Sequence, residues 1–383
     1  MKKLLVITEP NFVEETSETR NPALNQTLAF YKAKFEEVHC ICPHTHFKIN
    51  IEGPNGIVYH TLSGFTKSFF KKPFYRWRIS EKEIKSIFDN VKPTVVQFRI
   101  PSFFTLSVYK HLKYKDCVLT TYIAGDWAKG VEMNYKKFFV SKVTGKILDI
   151  LQKSIIRNTI CVSAGQELAQ KYKNINPDIH AYYSTSHTEA IKRSTFIKGT
   201  IRLTFIGRLE PLKRLEDLLS ACNILKYKGL KFELKIIGDG IQRKNLEAIV
   251  DDLKLRSNVR FIGQIAKRSE VNNYLDNSDI LVLPSLAEGS PKVLPESMAR
   301  GVIPIAVKGT GSNNYIIEDS QNGFLVAPKS PNEIADAVIK VKNSEKLQET
   351  LFNNCYLYSK NKTVINEIEK LWTFVENNKN YKL

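Results

Sequence analysis

At 383 residues, with 43% hydrophobic and 25% charged side chains, the chain has the make-up of a soluble globular protein too long for one ordinary core, so two domains are expected. Its apolar runs stop short of the roughly 20 residues that a membrane-spanning helix needs, and its six cysteines are scattered as reduced thiols are, which excludes a disulfide scaffold. The net charge of +18 is spread over both halves. It calls for an anionic partner, and without a recognised nucleic-acid motif that partner is not expected to be nucleic acid.

In chain order, residues 3–8 read as a buried first strand. Glu9-Pro10 ends the apolar run before a signal peptide could form, which points to the cytoplasm. Strands are expected next at 38–42, 94–98, 117–122 and 159–162. The cluster His39, Cys40, Cys42, His44 and His46 reads either as soft metal ligands or as a buried strand ending at Pro43. Lys67, Lys71, Lys72, Arg76, Arg78, Lys82 and Lys85 are interleaved with Phe65, Phe69, Phe70, Phe74, Tyr75 and Trp77. That mixture suits an anionic membrane surface, and it equally suits a solvated loop. A basic amphipathic helix is expected over 135–156, lying in a headgroup plane or packed on a sheet. The polar stretch 183–188 reads as a linker.

The second half repeats the rhythm, with strands at 202–206, 232–237, 259–262, 280–283, 303–306 and 324–326 and helices at 213–226, 243–253 and 332–341. Strand–helix alternation of this kind predicts parallel, doubly wound α/β sheets. In such sheets ligands sit outside the carboxyl ends of the strands. Two strand ends carry suitable chemistry. At the first, Gly207 permits close approach, Arg208 leaves the strand and Lys213 opens a helix, a pair of cations for a diphosphate. At the second, Glu288 and Gly289 precede Pro291, which is expected to start a helix whose amides face an anion, and Glu296 follows on that helix. Carboxylates at that spacing suit sugar hydroxyls; a capping Glu with a solvated helix Glu is the plainer reading.

The ordered set Gly207-Arg208…Lys213, Gly238-Asp239-Gly240, Gly263 and Glu288-Gly289-Ser290-Pro291…Glu296 resembles the family-4, group 1 glycosyltransferases. The resemblance covers about residues 201–340. It implies a GT-B fold, two Rossmann-like doubly wound domains facing a central cleft. It further implies that Arg208 and Lys213 neutralise the donor diphosphate, that Glu288 with Gly289, Ser290 and Pro291 holds the transferred sugar, and that Glu296 accepts from the ribose. Gly238 and Gly240 would shape the loop beside the nucleotide, and Gly263, Gln264 and Ile265 would border the base. Metal-independent transfer with retention follows from the same resemblance. Where many relatives carry a His, this chain has Ala124, so Asp126 becomes the first-lobe candidate for sugar or acceptor, or else a helix N-cap before Trp127. Arg99 at a strand end is a candidate for an acceptor phosphate.

The expected organisation is an acceptor-binding domain over 1–188, a nucleotide-sugar domain over 189–362, and a final helical segment, 363–383, returning to the first domain. The expected activity is transfer from a UDP- or GDP-linked sugar, with no cofactor or metal, to a lipid-linked or glycan acceptor in surface-polysaccharide assembly. The work would be done in the cytoplasm at the inner face of the membrane. An epimerase or hydrolase of the nucleotide sugar, or a catalytically degenerate scaffold, are the alternatives.

Overall fold

The computed structural model describes residues 2–10, 12–44, 50–63, 81–112, 116–126 and 138–378. The chain divides into two compact units, residues 1–182 with 368–383 and residues 183–367.

The first unit holds β1 (Lys3–Ile7), β2 (Phe12–Val13), β3 (Glu18–Thr19), β4 (Glu37–His44), β5 (Asn50–Glu52), β6 (Ile57–Ser63), β7 (Val95–Ile100), β8 (Val118–Ile123), β9 (Ile160–Ala164) and β10 (Ile179–Tyr182). Eight of these form one sheet in the order β10-β9-β8-β7-β1-β4-β6-β5, parallel throughout except for the β5–β6 hairpin. Strand order reverses between β1 and β7, and that reversal identifies a doubly wound sheet. Its central strands are apolar on both faces, as helices on either side require: Leu4, Leu5, Val6 and Ile7 are all fully buried. The last helix, Val364–Glu376, belongs to this unit from Ile368 onward. Trp372 packs edge-on against Phe35 and Tyr31, with ring centroids 4.7 and 5.3 Å apart, and Glu376 binds Lys2 at 2.7 Å.

In the second unit, β11 (Ile201–Ile206), β12 (Phe232–Ile237), β13 (Val259–Gly263), β14 (Ile280–Leu283), β15 (Ile303–Val307) and β16 (Phe324–Val326) form an all-parallel sheet ordered β13-β12-β11-β14-β15-β16. The reversal here lies between β11 and β14. β14 and β15 are buried throughout, β11 and β12 carry half-buried polar residues among their buried apolar ones, and the edge strand β13 buries only Val259. Residues 183–188, expected to act as a linker at the end of the first domain, belong to this unit. His187 Nε2 lies 3.0 Å from the Ser359 carbonyl, and the Val364 N–H donates to the His187 carbonyl at 3.0 Å. These bonds move the unit boundaries to 182/183 and 367/368.

The helix expected over 135–156 is Phe138–Arg157. Its carboxyl end packs inward through Gln152, Ile155 and Ile156. Ile147, Ile150 and Leu151, spaced to share one face, are 52%, 64% and 45% exposed. Among the described residues, no helix is long and apolar enough to cross a membrane. The basic aromatic segment from Phe65 to Arg78 lies outside the described residues, as do His46 and Trp127. Cys40 and Cys42 are buried in β4, and His39 in the same strand stacks on His60 with Nδ1 and Nε2 3.0 Å apart. Among the described residues, no group of three or more His, Cys, Asp or Glu is arranged to hold a metal.

Candidate functional site

In the second unit the sequence-singled residues gather at the carboxyl ends of β11, β12, β13 and β14. Gly207 follows β11, and its N–H donates to the Ile237 carbonyl at 3.0 Å. Gly238 follows β12 at φ 133°, and a Cβ there would lie 1.9 Å from the Gly207 oxygen. That approach leaves no space for any side chain. The Gly240 N–H is accepted by Asp239 Oδ1 at 2.7 Å, in the turn beside Leu209. Gly263 ends β13, its carbonyl accepting from the Gly238 N–H at 2.8 Å; Gln264 follows exposed and Ile265 half-buried.

Lys213 was expected to open a helix. It instead closes a single 3-10 turn, Pro211–Lys213, and the helix Leu215–Tyr227 starts only after Arg214, whose left-handed backbone (φ 51°) breaks the continuity. That turn sends the lysine toward the second junction, where its Nζ lies 2.6 Å from Glu288 Oε1. Both side chains are mostly buried, at 17% and 12% exposure, so water screens this pair less than a surface one. Arg208 does not join them. Its side chain is 77% exposed and pairs with Glu210 at 2.6 Å.

Pro291 was expected to start a helix. The helix is the short Val293–Met298, and the Pro291 carbonyl accepts from the Leu294 N–H at 3.3 Å in the turn before it. The loop Glu288–Gly289 is braced by the loop after β15, where the Ser312 N–H donates to the Gly289 carbonyl at 2.9 Å. Gly311 makes that bracing possible. At φ 51°, it comes so close to the Glu288 and Gly289 carbonyls that a Cβ would fall 2.6 and 2.5 Å from their oxygens. Around this junction the hydroxyls of Ser285, Ser290 and Ser312 and the side-chain carbonyl of Asn313 are buried without a hydrogen-bond partner. Unmet polar groups at a strand-end loop are what a polar ligand would satisfy. Sequence reading singled out Ser290 but passed over Ser285, Ser312 and Asn313. The Gly309-Thr310-Gly311 turn beside them was the available signal.

Glu296 is 4% exposed. Its Oε1 accepts from the Ser186 hydroxyl, and its Oε2 forms an ion pair with Arg268 Nη2 at 2.7 Å. Neither partner stood out in the sequence, Ser186 because it lay in a polar stretch and Arg268 because the chain is rich in cations. His187 beside them is held below its ordinary pKa, first by burial and to a smaller degree by the Arg268 cation, against the pull of the Ser359 carbonyl and Glu296.

The first-unit candidates stand apart from this cluster in the sequence and bind within their own unit. Arg99 near the end of β7 pairs in register with Tyr122, and its guanidinium stacks 4.2 Å from that ring with Nη1 buried and unpartnered. Burial pushes the Tyr122 phenol up to about 12 despite the neighbouring cation. Asp126 Oδ1 lies 2.8 Å from Lys171 Nζ, and Lys171 also reaches Asp149 at 3.2 Å.

Residues 186–357 match the sequence model of the family described as glycosyl transferases group 1. The second unit is a group 1 glycosyltransferase domain. The same domain aligns with curated relatives. The amylovoran biosynthesis glycosyltransferase AmsK of Erwinia amylovora is 31% identical over 38% of this chain and 37% of the relative. The UDP-Gal:alpha-D-GlcNAc-diphosphoundecaprenol alpha-1,3-galactosyltransferase of Escherichia coli is 28% identical over 43% of this chain and 41% of the relative. The chain spans about two fifths of the length of the curated relatives it matches. Anabaena Alr3699/HepE, solved with UDP and glucose, superposes over 99% of this chain and 100% of its own at TM-score 0.69 and 14% identity. At that identity the likeness is one of fold, and the fold is GT-B. The transferase domain thus owns the glycines, the Lys213–Glu288 pair and Glu296.

Proposed function

We propose that this chain is a glycosyltransferase that moves a sugar from a nucleotide-diphosphate donor onto an acceptor hydroxyl, in assembly of a surface polysaccharide on a lipid-linked acceptor. The observation that carries the reading is the Lys213–Glu288 pair, 2.6 Å apart and largely withdrawn from water at the strand ends of a group 1 domain. A departing nucleoside diphosphate gains negative charge as the glycosidic bond breaks. A fixed ammonium stabilises that charge without needing to reorganise. Glu288 holds the ammonium in place and offers its second oxygen to hydroxyls of the transferred sugar. Arg208, exposed and paired with Glu210, would add a second cation to the diphosphate. Side-chain cations in this role support transfer without a metal, and resemblance to family 4 supports retention at the anomeric carbon. Glu296 accepts from the ribose.

The acceptor reading rests on two supports. The galactosyltransferase relative is named for a diphosphoundecaprenol-linked acceptor. In this chain, the exposed Ile147, Ile150 and Leu151, with Lys146 and Lys153 on the same helix, suit the surface of an anionic membrane. Among the described residues, Arg99 and Asp126 are the first-unit groups offered to the acceptor.

The test is a thermal-shift panel of UDP- and GDP-linked sugars, followed by transfer of radiolabelled sugar from the best stabiliser to lipid extracts. A donor should raise the melting temperature in a concentration-dependent way. Label should then move into the lipid fraction. Free isomer or free sugar as the product would replace transfer by epimerisation or hydrolysis. An unmoved melting temperature across the panel would remove the donor reading.

A further inference from the structure

Glu296 is held from two directions. Its Oε1 takes the Ser186 hydroxyl from the segment by which the chain enters the second unit, and its Oε2 takes Arg268 at 2.7 Å. Arg268 is the first residue of the helix Arg268–Asp276, three residues beyond Ile265 and the connector that follows β13. A carboxylate has room for about four hydrogen-bond donors, so Ser186 and Arg268 leave two sites open on a side chain that is otherwise 4% exposed. A long carboxylate with two of its acceptor positions anchored has lost most of its rotational freedom, and the directions of the remaining lone pairs are set by those anchors.

We propose that Arg268 is a positioning residue for the nucleoside part of the donor. It fixes the Glu296 carboxylate so that its free lone pairs meet the vicinal ribose hydroxyls, and thereby selects ribonucleotides over nucleotides lacking them. The inference rests on the reading of Glu296 as the ribose acceptor. The connector between β13 and the Arg268 helix then carries two functions in a few residues: backbone along the base, and the cation that aims the ribose-binding carboxylate. Ser186 is the weaker anchor, because a neutral hydroxyl bond constrains less than a charge-assisted contact. Arg268 itself is 38% exposed, but its removal leaves the buried Glu296 carboxylate with Ser186 alone, so Arg268→Ala should cost stability as well as free Glu296 to rotate.

The experiment measures dissociation constants of UDP and GDP and of their 2′,3′-dideoxy analogues with the full chain, by calorimetry. The wild-type protein should bind the better-fitting ribonucleotide about tenfold more tightly than its dideoxy analogue, the worth of hydrogen bonds to a charged group. Arg268→Ala should shrink that ratio to about twofold or less by weakening the ribonucleotide and leaving the dideoxy form unchanged. Arg268→Lys should restore part of it, and Ser186→Ala should lower it less than Arg268→Ala does. Arg268→Ala should melt lower than Arg268→Lys, and an unchanged affinity for the dideoxy analogue shows that the site remains folded. Under turnover the loss should appear in the donor KM rather than in kcat. A wild-type ratio preserved in Arg268→Ala would overturn this inference alone. Failure of the wild-type protein to bind either ribonucleotide, or Glu296→Ala keeping the wild-type ratio, would overturn the ribose reading and this inference with it.

Discussion

The two units share a doubly wound parallel architecture but spend their strand ends differently. In the second, the carboxyl ends of β11, β12 and β14 bring glycines, a lysine and two carboxylates into one set of interlocking loops, with polar atoms of Ser285, Ser290, Ser312 and Asn313 buried and unmet. In the first, the corresponding charged groups are largely engaged: Arg99 lies on Tyr122 and Asp126 on Lys171. A nucleoside diphosphate has the same parts whichever sugar it carries, so the loops that grip it admit few solutions. On the proposed reading the first unit would meet the acceptor, which differs from one enzyme to the next, and that unit would be free to vary. The family match confined to residues 186–357 follows that division.

The hardest test of the contrast is at the Lys213–Glu288 pair. Lys213→Ala should lower turnover by about 10²–10³-fold, the scale of losing one preorganised charge-stabilising group. Glu288→Gln should cost a similar amount, because the mostly buried lysine loses its counter-charge and the sugar loses a carboxylate acceptor. Asp126→Asn in the first unit should cost less than about tenfold, since Lys171 remains to hold a neutral amide through its oxygen. Rates measured side by side, with melting temperatures as a control for folding, decide it. Equal losses at Asp126 and Lys213 would place essential chemistry in both units and dissolve the contrast.

The next effect is on stability. Gly238→Ala puts a methyl group 1.9 Å from the Gly207 carbonyl oxygen at a φ of 133°, so β11 and β12 must separate at their ends. A loss of roughly 3 kcal/mol or more is expected in denaturant unfolding. Gly289→Ala meets nothing within 4 Å and should stay within about 1 kcal/mol. A tolerant Gly238 would mean that the strand-end loops of the second unit are looser than their hydrogen bonds indicate.

Legibility in the sequence follows the same line. All six strands of the second unit stand out, some as unbroken apolar runs, as Ile280–Leu283 does, and others as apolar residues alternating with polar ones, as Phe232–Ile237 does. In the first unit β6 was missed: its run Ile57–Ser63 carries His60 and Thr61, buried polar residues that disguise a core strand. The Asn55-Gly56 turn, with Gly56 at φ 67°, was the cue to its hairpin with β5. Within the site, the motif residues were legible from type and spacing. Their partners were not, because Arg268 meets Glu296 and Ser312 meets Gly289 only through tertiary packing. Arg208 is the reverse case, a motif cation legible in the sequence whose side chain lies at Glu210 and outside the Lys213–Glu288 pair.

Asp126 can also be separated from its neighbours. Lys171 bridges Asp126 and Asp149, and Asp149 accepts from the Tyr172 hydroxyl at 2.8 Å and binds Lys153 at 2.9 Å. Burial opposes ionisation of Asp149, but the hydrogen bonds from Lys153, Tyr172 and Lys171 outweigh it and hold the carboxyl at about 2. Lys171→Met should therefore lower the melting temperature of the first unit by a few degrees through Asp149, and change turnover only to the extent that Asp126 touches the acceptor. A variant that melts lower but turns over normally would make this cluster purely structural.

The smallest effect lies in the acid response, which also separates the units. His39 and His60 are both held below their ordinary pKa, first by burial, His60 down to about 4; Glu37 pulls His39 upward, while Lys3 and Lys32 push it down. For a group whose folded pKa is depressed, stability is whole above the unfolded value and is lost as pH falls toward the folded one. The first unit should thus weaken from about pH 6.5 toward 4, by under about 1 kcal/mol per histidine at pH 6. Asp279 in the second unit resists ionisation by burial, yet hydrogen bonds from Arg202 and Arg193 hold it below its usual range, so its contribution persists until the pH drops under about 3.8. His187 gives the second unit one depressed histidine against the first unit's stacked pair. Trp372 is buried in the first unit, so with Trp77 and Trp127 replaced by Phe the remaining tryptophan fluorescence follows that unit, while far-ultraviolet dichroism follows both. Between pH 6.5 and 4 the denaturation midpoint seen by fluorescence should fall faster than that seen by dichroism, and His60→Phe should bring the two together. Coincident midpoints with His60 in place would mean that the units unfold as one, and that the histidine pair taxes the whole molecule rather than the half that carries it.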